Sequence, residues 1–426
     1  MPTVTVPGSS GSTLTYTFGP GAGLSVAQQI SNALAAAATV GTVSVTSSSG
    51  TILGVATVAG TTQELLLTGN PTTTVPAGYK FVVNDSSAPT TITAASGTAI
   101  LSSTGGGLFA EAGAATIVAA GGNNVISQSG AGSILLAGGT GNDTITAMGS
   151  GSIFSGTGSD LLVAGGNSEV VTATGADSVQ FGAGATSNND TIFAAAGSTT
   201  SVYGSSGQLL FVSSGAAVSL VGGAGSTGMS SVVGSSGADS VMAGPGGLVY
   251  QVGNSNNSTV NTGANGAATV YGASNTQVNV IGGGSGIVVA SGGNETLNAA
   301  GSTGNMWLSV NTTVSSGATV TMTAGSGNDT LIAGSAPGSA FMTGGSGADA
   351  FVFFKQASGG AQDIINNFTQ ADSVFIEGYG PGSAAQLLQN ATQASGGLTL
   401  TLSDGTTVTF SNMTDSTQLN GKIQYG

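Results

Sequence analysis

The sequence contains no cysteine, no histidine and no arginine, and only three lysines among its 426 residues. The chain therefore has no disulfide, no Cys/His zinc site and no Ser-His-Asp or Cys-His nucleophile system. Nucleic-acid binding is disfavoured too, because it draws on a basic surface and the formal net charge is −14. The 17 acidic residues, with so few bases beside them, favour hard divalent cations as partners.

Aromatic residues and long apolar runs are also scarce. Aromatic content is 5%, and the longest run of small apolar residues, 33–43, is too short to span a bilayer. The first basic residue is Lys80, so the start of the chain does not read as a cleavable signal peptide. Apolar residues still make up 39% of the chain, which argues against simple disorder. A thin, elongated and regularly layered body fits these facts.

The chain is rich in glycine, with 75 residues, and its apolar residues occur in bursts of three or four. Neighbouring bursts often lie about 8 to 12 residues apart, with Gly, Ser and Asn between them. Strands that short must stack on copies of themselves, which predicts an all-β fold, a β-solenoid or parallel β-roll of about 17 to 22 residues per coil. The alternative is a large antiparallel sandwich, which also has regularly spaced strands.

Three regions follow from these patterns: a small mixed N-terminal module (1–95), the glycine-rich solenoid (96–355) and a C-terminal cap (356–426). Within the module, residues 13–18 and 79–83 alternate as strands. One helix is predicted from Ser25 as N-cap to Gly41 as its stop. Its apolar face is formed by Val26, Ile30, Ala33 and Leu34.

Residues 138–146 read Gly-Gly-Thr-Gly-Asn-Asp-Thr-Ile-Thr and match the nonapeptide G-G-x-G-x-D-x-U-x at every fixed position. This segment resembles the repeat of the RTX (repeats-in-toxin) β-roll family. The resemblance implies that Gly139 and Gly141 shape a turn that exposes carbonyl oxygens, and that Asp143 supplies a carboxylate to Ca²⁺. One copy gives only part of a ligand set, so stacked copies are needed.

Further copies occur at two places in the chain. Asp160 and Asp177 follow Asp143 at intervals of 17 residues, which predicts that all three lie on one edge of the solenoid. Asp329 and Asp349, 20 residues apart, form a second cluster. The other predicted calcium-site residues are the turn glycines Gly156, Gly158, Gly175, Gly325, Gly327, Gly345 and Gly347. For Asp190 and Asp239, stabilisation of a turn is favoured over a metal site, which stays the alternative.

The end of the chain also resembles the family. Residues 363–374 are similar to the D-x-I-x-D-F segment that closes many RTX proteins exported by type I secretion, although Asn367 stands where those have Asp. Residues 398–410 then predict a β-hairpin. A two-residue Asp-Gly turn would split its apolar faces, whereas a three-residue loop, 403–405, pairs Leu400 with Val408 and Leu398 with Phe410.

The function expected from these features is that of a secreted, calcium-binding structural protein that self-associates into a surface layer, fibre or biofilm matrix. Its expected partners are other copies of itself, the type I secretion machinery and a cell-surface polysaccharide. No catalytic group is apparent, because the clustered aspartates are better used as calcium ligands. An adhesin or carbohydrate binder is the alternative, although Trp307 is interpreted as a core residue. A lesser alternative is ice binding, suggested by Thr-x-Thr at 319–323.

Overall fold

The computed structural model describes most of the chain, and all structural statements below concern the residues it describes. These are residues 2–8, 12–18, 22–40, 43–48, 52, 60–69, 72–102, 106–167, 169–182, 189–204, 207–214, 217–223, 227–234, 236–253, 257–311, 317–334, 338–356, 360–380, 382–394 and 396–426. The chain divides into two compact units, Met1–Ala216 and Ala217–Gly426. Each unit is described by itself.

The first unit contains one helix, α1 (Ala22–Thr39), and a series of short strands. The strands are β1 Thr3–Pro7, β2 Thr13–Thr17, β3 Val43–Ser48, β4 Thr62–Leu67, β5 Thr72–Thr74, β6 Phe81–Asn84, β7 Thr90–Ala94, β8 Ala99–Ser102, β9 Gly107–Ala112, β10 Ala115–Ala119, β11 Asn124–Ser129, β12 Ser133–Ala137, β13 Thr144–Ala147, β14 Ser150–Phe154, β15 Leu161–Ala164, β16 Val170–Ala173, β17 Ala176–Phe181, β18 Asn189–Ala194, β19 Thr199–Tyr203 and β20 Gln208–Ser213.

The second unit contains a second series of strands, the short helix α2 (Ala384–Gln389) and a 3₁₀ turn at Ser416–Leu419. The strands are β21 Val218–Val221, β22 Ser230–Val233, β23 Ser240–Met242, β24 Leu248–Gln251, β25 Ser258–Asn261, β26 Ala268–Tyr271, β27 Gln277–Gly282, β28 Gly286–Ala290, β29 Glu295–Ser302, β30 Met306–Val310, β31 Thr319–Thr323, β32 Thr330–Ile332, β33 Ser339–Thr343, β34 Ala350–Phe354, β35 Gln362–Asn366, β36 Ser373–Glu377, β37 Thr392–Ala394, β38 Gly397–Thr401, β39 Thr407–Phe410 and β40 Ile423–Tyr425.

From β4 onward, the strands of the first unit alternate between two parallel sheets, so that each coil gives one strand to each sheet. Sheet 1a has the order β3-β4-β6-β8-β10-β12-β14-β16-β18-β20. Sheet 1b has the order β5-β7-β9-β11-β13-β15-β17-β19. The all-β, parallel solenoid prediction is therefore confirmed, and the antiparallel sandwich is excluded for these strands.

The second unit repeats this arrangement. Sheet 2a has the order β22-β24-β26-β28-β30-β32-β34-β36-β40, all parallel. Sheet 2b runs in parallel through β21-β23-β25-β27-β29-β31-β33-β35-β39. Strands β38 and β37 then extend it in the antiparallel sense.

The core of the coils consists largely of columns of aliphatic side chains, with single aromatic residues such as Phe109 and Phe211 among them, because every second residue of a strand points inward. One column in sheet 1b is fully buried and has one member per coil: Ile126, Ile145, Leu162, Val179 and Val202. Apolar bursts of three or four residues are long enough to supply one or two such positions. Stacking of similar side chains in successive coils therefore takes the place of the thick core of a globular domain.

The N-terminal hairpin and helix cover the flank of sheet 1a. Strands β1 and β2 pair in the antiparallel sense, and α1 packs with them on the outer residues of successive coils. The outer column they bury includes Leu66, Val83, Leu101 and Val118. Because β3 and β4 already pair in parallel, the coils begin inside the range 1–95 that the sequence assigns to a separate module.

The helix prediction is confirmed, with corrections to its details. Helix α1 begins before Ser25, so Ser25 is not its N-cap, and it ends at Thr39; the predicted stop, Gly41, lies outside the described residues. Val26, Ile30 and Leu34 are buried as predicted. Ala33 is exposed, because the buried face runs through Ala27 instead.

Two further strand predictions can be compared with the structure. The segment 13–18 forms β2, whereas 79–83 overlaps a strand that begins only at Phe81. The C-terminal hairpin has the predicted register, since Leu398 pairs with Phe410 and Leu400 with Val408. Its loop places Gly405 at φ +88°, which is the left-handed region expected of a three-residue loop.

Candidate functional site

The first predicted cluster lies at the corner between sheets 1a and 1b. The register of β11, β13, β15 and β17 stacks Asn124, Asp143, Asp160 and Asp177 directly above one another in successive coils. The 17-residue spacing of the aspartates thus corresponds to one coil, as the sequence predicts. All four side chains are buried, with exposed fractions of 1% to 3%.

Each aspartate accepts a backbone hydrogen bond from the coil that precedes it. Oδ1 of Asp160 accepts the N–H of Asp143 at 2.7 Å, and Oδ1 of Asp177 accepts the N–H of Asp160 at 3.2 Å. Oδ1 of Asp143 accepts both the N–H and the Nδ2 of Asn124. The carboxylates therefore satisfy backbone donors at a corner where strand pairing is interrupted.

The motif glycines are required because the backbones of neighbouring coils approach closely. A Cβ on Gly158 would lie 1.8 Å from the carbonyl oxygen of Gly141, and a Cβ on Gly347 would lie 1.7 Å from that of Gly327. The same contact, at 1.9 to 2.5 Å, is found at the other predicted glycines, Gly139, Gly141, Gly156, Gly175, Gly325, Gly327 and Gly345. No side chain fits at these positions.

In each of three successive coils, one buried side-chain oxygen has no hydrogen-bond partner among the described residues. These oxygens are Oδ1 of Asn124, Oδ2 of Asp143 and Oδ2 of Asp160. Asp177 differs, because its Oδ2 accepts the hydroxyl of Ser155 at 2.8 Å. A Cβ built on Gly138 would lie 2.3 Å from Oδ2 of Asp143 and 2.6 Å from the carbonyl oxygen of Ser155, so both oxygens face the same point.

Burial makes the charged forms of these carboxyl groups costly. Desolvation raises the pKa of Asp143 to about 6, although hydrogen bonds from Asn124 oppose the shift. Desolvation, together with the negative charges of Asp177 and Asp143, raises the pKa of Asp160 to about 7. A cation beside these oxygens would supply both the missing partner and the missing positive charge.

The second predicted cluster lies at the start of strands in sheet 2a and is better satisfied. Asp329, Asp349 and Asp372 stack in consecutive coils, and their Oδ1 atoms accept the N–H groups of Met306, Asp329 and Asp349 at 2.6 to 2.9 Å. Oδ2 of Asp329 accepts the N–H of Gly325, and Oδ2 of Asp372 accepts that of Thr369. Burial nonetheless raises the pKa of Asp349 to about 7.

Asp190, Asp239 and Asp363 use the same inter-coil contact. Their Oδ1 atoms accept the N–H groups of Glu169, Val218 and Ala340, respectively, at 2.8 to 3.0 Å. The interpretation of Asp190 and Asp239 as turn residues therefore understated their role, because they join two coils. Sequence spacing hides this, because neither aspartate continues the 17-residue spacing of Asp143, Asp160 and Asp177.

A ladder of asparagines runs along the exposed side of the same corners. Oδ1 of Asn123 accepts the N–H of Asn142, and Oδ1 of Asn142 accepts the N–H of Ser159. In the second unit, Asn305 and Asn328 do the same for Asn328 and Ala348. The asparagine side chains accept N–H groups of the following coil, and the aspartate side chains accept N–H groups of the preceding coil. Each corner is therefore hydrogen-bonded to both of its neighbouring coils.

The described residues contain no group of three or more acidic side chains placed to hold a metal ion together. A cation at the first cluster would therefore draw on carboxylate, amide and carbonyl oxygens from several coils, which is the ligand chemistry of Ca²⁺. The predicted ligands Asp143 and Asp160 fit this role. Asn124 was missed by the sequence analysis; its signal is its position, 19 residues before Asp143 in a partial Gly-Gly-Asn-Asn corner.

Two other sequence-based interpretations concern side chains on the outer faces. Trp307 is not a core residue, because 48% of its surface is exposed and it lies on the outside of sheet 2a. In the segment 319–323, Thr321 is flanked by Thr296 on one side and Phe341 on the other, so no regular threonine row forms there.

Neither described helix has the length and apolar character needed to cross a bilayer. No protein-family model, curated protein or solved structure matches this chain.

Proposed function

We propose that this protein is a secreted structural β-solenoid that binds Ca²⁺ at the corner formed by Asn124, Asp143 and Asp160 and self-associates outside the cell. The observation that carries the calcium part is the row of three unpartnered, buried oxygens in successive coils. Two of these oxygens belong to carboxyl groups whose pKa values are raised by burial to about 6 and about 7.

At neutral pH both protonation states of the carboxyl groups at this corner are costly. Deprotonated Asp143 and Asp160 leave negative charge in a buried site, and their mutual repulsion adds to the cost. Protonated Asp143 introduces a donor that needs an acceptor, and protonated Asp160 shares its proton with the carboxylate of Asp177, which is buried as well. Bound Ca²⁺ neutralises the charge and accepts the oxygens as ligands, and the residues that would hold it are Asn124, Asp143 and Asp160.

The second cluster, with Asp329 and Asp349, stays a predicted calcium site with weaker support. Both carboxylate oxygens of Asp329 already accept backbone N–H groups. The proposal therefore places the first calcium ion at Asp143 and Asp160.

Calcium binding of this kind couples folding to location. Cytosolic Ca²⁺ is scarce, so the acidic corners would stay loose during export, and binding outside would supply folding free energy. The similarity to RTX repeats supports type I secretion as the route. The absence of cysteine suits passage as an open chain, because no disulfide can form prematurely.

Self-association is supported by the strand edges. Within the described residues, β3 pairs only with β4 in the first unit, and β40 pairs only with β36 in the second. Unpaired parallel edges are templates for addition of another chain. A structural rather than enzymatic role is supported by the use of the clustered carboxylates, which accept backbone N–H groups between coils.

Calcium titration of the purified protein tests the first part of the proposal. Addition of Ca²⁺ to chelator-treated protein should raise the thermal midpoint and protect the amides of residues 124–177 from hydrogen exchange. A double variant, Asp143→Asn with Asp160→Asn, should lose this response while it keeps the inter-coil acceptors. Equal protection of that corner with and without calcium would refute calcium binding there.

Electron microscopy of the same samples tests the second part. Ordered fibres or sheets that form at high protein concentration support assembly, and a chain that stays monomeric with and without calcium contradicts it. Assembly and calcium binding are thus judged separately.

The alternative of a carbohydrate-binding surface protein has one observation in its favour, the exposed Trp307. Ice binding has less support. One outward Thr-x-Thr pair is aligned, because Thr72 and Thr74 on β5 face Thr91 and Thr93 on β7. The next strand continues the two rows with Leu108 and Ala110, so they end after two coils.

A further inference from the structure

The outer face of sheet 2a carries a groove of about 460 Å³ around Trp307. This volume lies within the range of roughly 300 to 1,000 Å³ typical of small-ligand sites. The groove lies wholly within the second unit, and Asn328 and Thr330 of its lining flank Asp329 of the second predicted calcium cluster.

The floor of the groove is a row of outward side chains from four consecutive coils. Thr269, Ile287, Trp307 and Thr330 are direct neighbours across β26, β28, β30 and β32. At about 4.8 Å per strand, the row is roughly 14 Å long. Ile287 and Trp307 are 45% and 48% exposed, which leaves a flat apolar strip open to solvent.

Two amide groups stand at one side of this strip in fixed orientations. Oδ1 of Asn305 accepts the N–H of Asn328, and Oδ1 of Asn328 accepts the N–H of Ala348. Because both carbonyl oxygens are held by the backbone, both Nδ2 groups must point away from it. Both side chains are exposed, and their Nδ2 atoms donate to no residue in the described part of the chain.

The lining contains no charged side chain: its polar members are Thr269, Ser285, Asn305, Asn328 and Thr330. An aromatic strip with hydroxyl and amide groups beside it matches a ligand that has apolar faces and hydroxyl edges. Charged ligands gain nothing from this lining, and anions are repelled by the net charge of −14.

We infer that the groove formed by Ile287, Trp307, Asn305 and Asn328 binds a neutral oligosaccharide. The pyranose rings would stack on Trp307 and Ile287, and their hydroxyl groups would accept hydrogen bonds from the two asparagine Nδ2 groups. The inference deepens the carbohydrate-binding alternative named above and does not require calcium at Asn124, Asp143 and Asp160.

The tryptophan is the only one in the chain, so its fluorescence reports directly on the groove. The purified full chain is titrated with three probes: cellohexaose, maltohexaose and the anionic hexagalacturonate. At least one neutral hexasaccharide should change the emission in a saturable way, and the anion should bind about tenfold more weakly or less. No change with either neutral probe up to about 10 mM would overturn the inference.

Variants identify the residues responsible. Affinity electrophoresis uses gels that contain the polymer of whichever neutral hexasaccharide binds. In these gels, Trp307→Ala should lose about tenfold or more in affinity, and Trp307→Phe should retain part of the affinity. Asn305→Asp keeps the oxygen that accepts the N–H of Asn328 but removes the donor, so it should bind several-fold more weakly without unfolding. Phe193→Ala, which removes an equally exposed aromatic from sheet 1a, should bind as the unaltered protein does.

Two other outcomes count against the inference. Binding that survives Trp307→Ala unchanged places the sugar elsewhere. Tryptophan emission that shifts with protein concentration in the absence of sugar assigns the groove to a second copy of the chain. All titrations are run in chelator and in calcium, so that a failed calcium response and a failed sugar response are recorded separately.

Discussion

The backbone N–H of Asp143 donates to Oδ1 of Asp160 across 2.7 Å, from one coil to the next. The same contact recurs from Asn124 to Asp143 and from Asp160 to Asp177. A residue type that is almost never fully buried thus becomes a repeating structural element of the solenoid interior. Each carboxyl group offers Oδ1 to the backbone of the preceding coil, and at Asp143 and Asp160 the other oxygen has no partner among the described residues.

The two oxygens of Asp160 can be separated by substitution. Asp160→Ala removes the acceptor of the Asp143 N–H and should lower the free energy of unfolding by about 1–3 kcal/mol, because a buried donor is left unpaired. Asp160→Asn keeps an acceptor and removes the buried charge. In chelator at pH 7.5 it should therefore be at least as stable as the unaltered protein.

Urea unfolding with and without Ca²⁺ distinguishes these cases. Asp160→Asn should show less stabilisation by calcium than the unaltered chain, although its stability in chelator is preserved. If Asp160→Asn is as unstable in chelator as Asp160→Ala, the inter-coil hydrogen bond is not what this side chain contributes.

A second prediction concerns the close approach of the corners. In Gly347→Ala the new Cβ would lie 1.7 Å from the Gly327 carbonyl oxygen, so the coils must separate, and a loss of about 2–4 kcal/mol is expected. Gly317→Ala is the matched control. Gly317 has φ +81° but nothing within 4 Å of a Cβ, so only its backbone strain, about 1 kcal/mol, should be lost.

Thermal unfolding of both variants measures the difference. A loss at Gly347 no larger than the loss at Gly317 would contradict the requirement for close contact between coils. A larger loss at Gly347 shows that inter-coil contact sets the requirement.

The sequence was sufficient for the fold class and for several registers. The hairpin register followed from the loop length. A two-residue turn would place the apolar residues of the two strands on opposite faces, whereas a three-residue loop places Leu398 and Leu400 on the same face as Phe410 and Val408. The stacking of Asp143, Asp160 and Asp177 followed from equal spacing. Both are local or periodic patterns, which a sequence displays directly.

Other features depended on contacts between distant segments. Ala33 is exposed and Ala27 buried because the flank of sheet 1a, rather than helical periodicity alone, decides which face of α1 is covered. Trp307 looked like a core residue between Met306 and Leu308, yet the inward positions of β30 are those two neighbours. Strand phase follows from coil register, which the local sequence around Trp307 does not display.

A third prediction concerns Asp404 in the loop of the C-terminal hairpin, which accepts hydrogen bonds but does not belong to a column of stacked aspartates. Its Oδ2 accepts the N–H of Gln356 and the hydroxyl of Tyr379, and its Oδ1 accepts the N–H of Thr406. Partial burial would raise the pKa of Asp404, but these bonds outweigh it and hold the pKa below its usual value.

Because that pKa is lowered on folding, the stabilisation by Asp404 is present above the ordinary carboxyl pKa and is lost as pH falls through the folded value. Asp404→Ala should destabilise the second unit by about 1–2 kcal/mol at pH 7 and by less near pH 3. Tyr379→Phe, which removes one of the three contacts, should have the smaller effect. Amide exchange at Gln356 and Thr406 provides the readout, and a loss that is independent of pH would contradict this account.

Glu64 shows the opposite dependence on pH. It lies on β4 in the outer face that α1 and the N-terminal hairpin cover, is fully buried, and has no partner for either carboxylate oxygen. Burial raises the pKa of the nearby Tyr16 hydroxyl, and the negative charges of Asp85 and Glu64 act in the same direction. Burial alone raises the pKa of Glu64 to about 7.

A carboxyl group with a raised folded pKa binds more protons in the folded than in the unfolded state. Its charge therefore costs nothing well below the ordinary pKa of 4.5, costs more as pH rises toward 7, and reaches a constant cost above that. Glu64→Gln should stabilise the protein by on the order of 1–2 kcal/mol at pH 8, after allowance for solvent screening, and by little at pH 4. Urea unfolding at both pH values measures this.

The control Glu377→Gln, at a partly exposed position, should change stability by less than about 0.5 kcal/mol at either pH. A gain from Glu64→Gln that is equal at pH 4 and pH 8 would mean that packing, not charge, limits stability beneath the N-terminal hairpin and helix.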